Sequence, residues 1–236
     1  MTNSEEIKRL EKIAEHFSML KGVNGKLEKY RIKTVMENAI GRTILDVGCA
    51  DGVMAKSLSG KFSVTGIDGS VRLIKRAKKI APKAKFICTL FEDFETPVKF
   101  DNVVLSFILE HVEKPQELLG LSKTWVKKDG RIIILVPNAN SLHRMIGKAI
   151  GIIDNLAELG TTDITQGHRR IYDLVSLKKE IEKVNLKIVK TGGYFIKPLS
   201  EAQMISWSDD LLNAFYEVSR SMPAKYCAEI YAICRK

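Results

Sequence analysis

The chain has 236 residues, with 38 Lys and Arg against 28 Asp and Glu, and a formal net charge of +10. Hydrophobic residues make up 45% and charged residues 28%, close to globular averages, which excludes disordered, collagen-like and coiled-coil architectures. No apolar run reaches the length of a membrane span, and the first residues (MTNSEEIKRL) carry no signal-peptide core, so one cytoplasmic domain over 1–236 is expected.

In chain order, residues 1–41 read as a helical cap. Ile7, Leu10, Ile13, Ala14, Phe17 and Leu20 fall at helical spacing, and Leu27, Tyr30, Val35, Met36 and Ala39 form a second set. Gly22 and Gly25 punctuate the two. Short apolar strands follow at 43–47, 62–67, 85–88, 102–107 and 131–136, separated by helical patterns at 53–58, 71–80 and 116–126. Continuous apolar strands with helical crossovers predict an α/β, doubly wound, mostly parallel sheet with helices on both faces. The alternation lapses from Asn138 to Leu174, longer than a plain connection needs. A helix over 177–184, a strand over 186–194, a helix over 208–219 and an antiparallel closing strand over 228–234 complete a seven-stranded sheet. Seven basic residues and no acid fall within 72–85, leaving a net +3 for the rest. The charge thus reads as a solvated helix flank rather than a nucleic-acid surface. Cys49, Cys88, Cys227 and Cys234 form no C-x-x-C pair and read as mostly buried thiols.

The stretch Ile44-Leu45-Asp46-Val47-Gly48-Cys49-Ala50-Asp51-Gly52 is a buried strand ending in a small-residue turn that opens a helix. Small residues let a ligand approach the backbone there, at the carboxyl edge of the sheet. A dinucleotide site would read G-x-G-x-x-G; here the pattern is G-x-A-x-G followed by Val53. The next strand ends at Asp68, twenty positions after Gly48, where a carboxylate can accept both hydroxyls of a ribose. With no basic phosphate loop beside it, the site suits a nucleoside without phosphates.

With these motifs in order (ILDVGCADG, VTGIDGS, FICTLFEDF, FDNVVLSFILEHV, DGRIIILVPN), the sequence resembles the class I S-adenosylmethionine (SAM)-dependent methyltransferases over residues 28–137. That resemblance implies a Rossmann-like fold with SAM as cofactor and S-adenosylhomocysteine as product. It implies that Asp46, Gly48, Ala50 and Gly52 line the methionine and ribose, and that Asp68 holds the ribose hydroxyls with Gly69 and Ser70 beside the adenine. Phe91 and Glu92 would flank its other edge, where Leu90 replaces an acid of many relatives. Ser106 would lie near the methionine amino group, and Arg31 would meet the methionine carboxylate.

Methyl transfer needs a nucleophile held on axis and, for a hydroxyl, a base. His111 follows Glu110 directly after the fourth strand and is one candidate base; His168 is the other. The segment also resembles quinone-ring O-methyltransferases, which carry E-x-x-E-H here and use it for a metal. This chain reads F-I-L-E-H, with Phe107 in place of the first acid, so no metal is expected. Residues 137–175 are expected to form a substrate lid inserted after the fifth strand. There Asn138, His143, Arg169, Arg170 and Tyr172 would contact the acceptor, with Asn140 and Arg144 nearby, and Tyr194, Phe195 and Trp207 as apolar walls. The two arginines suit an anionic small molecule. PNANSLHRMIG and GHRRIYD look like segments of bacterial tailoring methyltransferases, including those of polysaccharide precursors. The expected acceptor is therefore a nucleotide-linked or phosphorylated metabolite, methylated on oxygen. An RNA or protein methyltransferase is the alternative, although no (N/D)-P-P-Y motif is present; a non-catalytic SAM-binding protein is another.

Overall fold

The structure, a computed structural model, describes residues 3–17 and 22–236; Leu20 lies outside them. Two helices, α1 (Asn3–His16) and α2 (Gly22–Asn38), precede the sheet. The strands are β1 (Thr43–Val47), β2 (Ser63–Asp68), β3 (Lys85–Cys88), β4 (Phe100–Ser106), β5 (Val126–Pro137), β6 (Lys187–Tyr194) and β7 (Glu229–Arg235). They form one seven-stranded sheet in the order β3-β2-β1-β4-β5-β7-β6. β1, β2, β3, β4 and β5 pair in parallel, and β7 runs antiparallel to both β5 and β6.

The helices cover both faces, as apolar strands without alternation require. One core gathers Ile44, Val104, Ile133 and Ile233 with α2, α3 (Val53–Leu58), α4 (Val71–Ile80) and α10 (Asp209–Ser219). The other gathers Leu45, Val103, Ile132 and Ala232 with α5 (Pro115–Trp125) and α8 (Leu174–Lys183). Alternate residues of one strand thus feed opposite cores, which holds the sheet rigid between two layers.

Strand order reverses between β1 and β4. Ligands of open α/β sheets bind at that switch point, beyond the carboxyl ends of the strands. The turns after β1 and β4 are therefore neighbours: a Cβ added to Gly48 would meet the Ile108 side chain at 2.7 Å.

Three local differences from the sequence reading have physical causes. β5 begins at Val126, inside the expected helix end, because Val126 pairs with Phe100 and Lys127 Nζ reaches Asp101 Oδ1 at 2.7 Å. β4 ends at Ser106 because Phe107 turns into the left-handed region at φ 55°. The irregular stretch after β5 holds two short helices, α6 (Leu142–Ala149) and α7 (Thr161–Thr165), while α9 (Glu201–Met204) follows β6. A parallel bridge between Asn138 and Tyr172 closes the base of that stretch.

Candidate active site

The turn after β1 contains three left-handed residues, Gly48 (φ 72°), Ala50 (φ 47°) and Gly52 (φ 80°). Ala50 pays for this conformation with a Cβ, and its N–H is used: it donates to Asp68 Oδ2 at 3.1 Å. Ser70 N donates to the other oxygen, Oδ1, at 2.9 Å. Two backbone donors thus aim the Asp68 carboxylate and counteract the upward push of burial on its pKa. Ser70 caps α4 through Leu73 N and donates its Oγ proton to Glu11 Oε1 at 2.9 Å. Gly69 is overlaid by Leu10 and Leu90, whose side chains would lie 2.6 and 2.7 Å from an added Cβ. Phe91 packs on the second core and Glu92 is exposed, both just beyond Leu90.

Behind the turn lies a buried acid cluster. Arg31 Nε and Nη2 donate to Glu229 at 2.6 to 3.1 Å, and Nη1 donates to Glu28 Oε2 at 3.1 Å. The guanidinium also stacks 3.9 Å from the centre of the Phe107 ring. Sequence reasoning expects Arg31 as a free fork for a carboxylate; three of its N–H groups are instead committed to acids of the protein. Glu28 Oε1 and Asp46 Oδ2 are buried without a hydrogen-bond partner. Burial raises both carboxyls to about 7, with the charges of Glu229 and Asp51 adding at Glu28 against Arg31, and those of Glu28 and Asp68 adding at Asp46. One arginine against Glu28, Glu229 and Asp46 leaves an excess of buried negative capacity, which suits a cationic ligand. Ser106, half-buried at the end of β4, adjoins this region. Glu28 and Glu229 escaped the sequence reading; only the i, i+3 spacing of Glu28 and Arg31 could have drawn attention to the first of them.

Beyond β4 a second cluster forms. One ligand-type atom of each of Glu110, His111 and His168 lies within 4.8 Å of the others. The two imidazoles meet edge to face at 4.7 Å between centroids. Both Glu110 oxygens are buried without partners, and burial raises this carboxyl to about 7. Burial, with the charges of His168, Arg9 and Arg169, pushes His111 down to about 3, so His111 is neutral at physiological pH. Such a trio is of the type that holds a metal ion, but two guanidiniums flank it and Phe107, under Arg31, takes the place of a further acid. A dication would meet charge repulsion there with only three donors.

Most of the predicted acceptor contacts are spent on structure. Arg169 Nε donates to the His111 carbonyl at 2.9 Å, and Arg169 N donates to the Glu110 carbonyl at 2.8 Å. Arg170 donates to the carbonyls of Leu109, Val112 and Glu113. Both arginines thus clamp the 138–173 segment onto the turn after β4, Arg170 through its whole fork and Arg169 through Nε, with its Nη2 facing Glu6 at 3.7 Å. Asn138 is engaged in the same way: its amide donates to the carbonyls of Lys225 and Cys227 and its oxygen accepts from Asn140 N, tying the end of β5 to the turn before β7. Tyr172 is buried in the second core, with its hydroxyl 3.5 Å from the Leu109 carbonyl. His143, pushed down to about 3 chiefly by burial, stands outside the Glu110 cluster. Phe195 stacks on Tyr30 in the core, Tyr194 is buried, and Trp207 stacks on Phe215.

Helix α1 lies across both halves. Glu11 reaches Ser70, Arg9 donates to the carbonyls of Gly167 and His111, and Glu6 faces Arg169 at 3.7 Å. It thus touches both the Asp68 turn and the segments that carry the histidine pair.

A family model described as a methyltransferase domain matches residues 19–191. The chain belongs to the class I SAM-dependent methyltransferases. A ubiquinone biosynthesis O-methyltransferase of Vibrio atlanticus is 26% identical over 219 residues, covering 87% of this chain and 91% of that protein. The mitochondrial ubiquinone biosynthesis O-methyltransferase of Schizosaccharomyces pombe is 32% identical over 114 residues, 45% of this chain and 42% of that protein. The fold is shared with the N-methyltransferase NodS from Bradyrhizobium japonicum in complex with S-adenosylhomocysteine (TM-score 0.62, 13% identity, 100% of this chain and 99% of that one). It is shared as well with the plantazolicin methyltransferase BpumL (TM-score 0.59, 22% identity, 98% of each chain).

The cofactor is SAM, which when bound supplies a sulfonium methyl group open to in-line displacement. The residues fit it. Asp68, held by two backbone donors, presents a carboxylate of the kind that accepts ribose hydroxyls, and the Gly48 turn allows close approach of the backbone. The buried excess of Glu28, Asp46 and Glu229 favours a ligand bearing ammonium and sulfonium charge. No described helix is long and apolar enough to cross a membrane.

Proposed function

We propose that this methyltransferase modifies a hydroxyl oxygen of a small molecule, with His168 taking the hydroxyl proton. The observation that carries the reading is the Glu110–His111–His168 cluster, next to the glycine turn, with Glu110 buried and Arg9 of α1 bonded to the His111 carbonyl. Of the three, His111, pushed down to about 3, is too weak a base at neutral pH, and Glu110 has both carboxylate oxygens buried. His168 has a side chain only 7% exposed and is the remaining imidazole of the cluster.

Similarity to the ubiquinone biosynthesis O-methyltransferases points to oxygen as the target and to a phenol or catechol ring as the acceptor class. The phosphorylated or nucleotide-linked acceptor expected from Arg169 and Arg170 loses its ground, because the Arg170 fork is bonded to carbonyls of the turn after β4 and Arg169 is held by the His111 carbonyl and Glu6. Residues 137–175 and α1 would act as the covers of this site. The test is a methyl-transfer screen with labelled SAM. Catechols and substituted phenols are expected to turn over, and sugar nucleotides and phosphorylated metabolites are not. Transfer confined to the anionic set, or to bulk RNA, would replace this reading.

A further inference from the structure

We propose that Asp163 is a positioning residue for methyl transfer: it holds the His168 ring by Nδ1 and leaves Nε2 as the nitrogen that takes the acceptor's proton. This rests on the reading of His168 as the base. Asp163 Oδ1 lies 3.1 Å from His168 Nδ1, and His168 N donates to the Asp163 carbonyl at 2.9 Å. Side chain and backbone therefore fix the same pair twice. The other carboxylate oxygen accepts from Gly160 N at 2.9 Å and faces Arg144 Nη1 at 3.5 Å. Arg144 is itself anchored on the carbonyls of Leu156 and Glu158. The acid cannot swing away without breaking the start of α7 and the tie to α6.

An ionised carboxylate only accepts hydrogen bonds. The bonds from His168, Gly160 N and the nearby Arg144 hold the Asp163 pKa below its usual value against the opposing effect of burial. Nδ1 must therefore carry the hydrogen, and a neutral imidazole then keeps its lone pair on Nε2. Glu110 and His111 from the turn after β4 face this ring and Arg169 follows it in sequence, while Arg144 of α6 approaches the far oxygen of Asp163, and Arg9 and Glu6 of α1 reach the His111 carbonyl and Arg169. Among them Asp163 alone accepts a hydrogen bond from the ring.

The balance of the step is simple. The acceptor oxygen forms its bond to the methyl carbon as the carbon–sulfur bond breaks, and that electron pair stays on sulfur. The hydroxyl proton moves to His168 Nε2, the imidazolium is paired with Asp163, and the proton leaves to water when the product does. Asp163 does not touch the substrate; it keeps the right nitrogen in place and steadies the charge the ring gains.

Long-range proton–nitrogen NMR spectra of the intact protein should show His168 with its hydrogen on Nδ1. The opposite tautomer would overturn the proposal. Asp163→Asn should lower kcat about 10- to 100-fold. The KM for the acceptor and the affinity for S-adenosylhomocysteine should stay within twofold, and the acid limb of kcat/KM should move about one unit lower in pH. Asp163→Glu should recover part of the loss. Because Asp163 also caps α7, Asp163→Ser provides the control: it keeps an acceptor for Gly160 N, removes the charge and should lose as much kcat as Asp163→Asn. Wild-type kcat and an unmoved pH limb in both Asp163→Asn and Asp163→Ser, with His168→Ala inactive, would overturn the positioning role and leave the base reading standing. Full activity of His168→Ala would instead remove the base reading. Recovery of Asp163→Asn by added Mn²⁺ or Zn²⁺ would overturn the proposal in favour of a cation at the cluster.

Discussion

The two halves of the proposed active site are built in different ways. The cofactor half is largely one run of chain: β1, its left-handed turn, and Asp68 at the end of β2, with backbone N–H groups of Ala50 and Ser70 aiming the key carboxylate. The acceptor half is assembled from the turn after β4, the 138–173 segment and α1, and side chains of Arg9, Arg169 and Arg170 bind it by grasping backbone carbonyls. A site made from backbone tolerates side-chain change and keeps one ligand. A site stitched from side chains of distant elements can be re-cut for a new acceptor at the cost of a few hydrogen bonds.

The sharpest way to separate the halves is His168→Ala. Loss of a general base costs on the order of 10²–10⁴ in rate, so turnover should fall at least about a hundredfold while S-adenosylhomocysteine binding, measured by calorimetry, stays within about twofold. Parallel loss of binding would mean the halves are not separable. Asp68→Ala should do the reverse. A charged hydrogen-bond acceptor is worth about 1.5–3 kcal/mol, so SAM should bind roughly 10- to 150-fold more weakly, with a smaller effect on kcat.

A smaller effect follows from the acid cluster. Glu28 and Asp46, raised to about 7 by burial, are mostly protonated at low pH and ionise as pH rises through neutrality. A cationic ligand prefers the ionised form, so SAM affinity should increase severalfold between roughly pH 5.5 and 7.5. Glu28→Gln should flatten that rise; an unchanged slope would detach the cluster from the cofactor. Arg170→Ala should lower the melting temperature by a few degrees, since it removes ties to three carbonyls, and leave the acceptor KM within about twofold. A large rise in KM would return Arg170 to the substrate. Exhaustive chelation is expected to have the least effect, with turnover unchanged; loss restored by a divalent cation would assign the Glu110 cluster to a metal.

The cofactor half was readable because its information is local. The turn from Gly48 to Gly52 and the acid at position 68 sit at spacings that one strand–turn–helix unit and one crossover impose, and the apolar runs around them announce the parallel sheet. The acceptor half was readable only as residue types. His111 and His168 were named as candidate bases, and the structure brings them together, but Arg169 and Arg170 looked like forks for an anion because an arginine's partner is invisible in sequence when that partner is a carbonyl nearly sixty residues away. The surroundings of Asn138 and Tyr172 were hidden for the same reason, one tied to the turn before β7 and the other packed in the core with Leu177 and Ile181 of α8. Asp163, an ordinary acid in a polar stretch, gave no signal, and Glu28 only its i, i+3 spacing to Arg31.

The net charge of +10 shows the same division. Five of the seven basic residues within 72–85 lie on α4, whose Leu73, Ile74 and Ala77 are buried while Lys75, Lys78 and Lys79 face solvent. Arg72 is drawn to Glu11 and Glu15 of α1, and Arg76 donates to the Phe17 carbonyl, so part of that charge fastens the helix across the site. Sequence by itself determined the sheet, the cofactor turn and the family, because hydrophobic periodicity and short-range spacing are properties of neighbouring residues. Only the tertiary structure decided which arginines are free, which acids are buried without partners and which histidine is held by a carboxylate, because hydrogen bonding and desolvation depend on what the fold brings alongside.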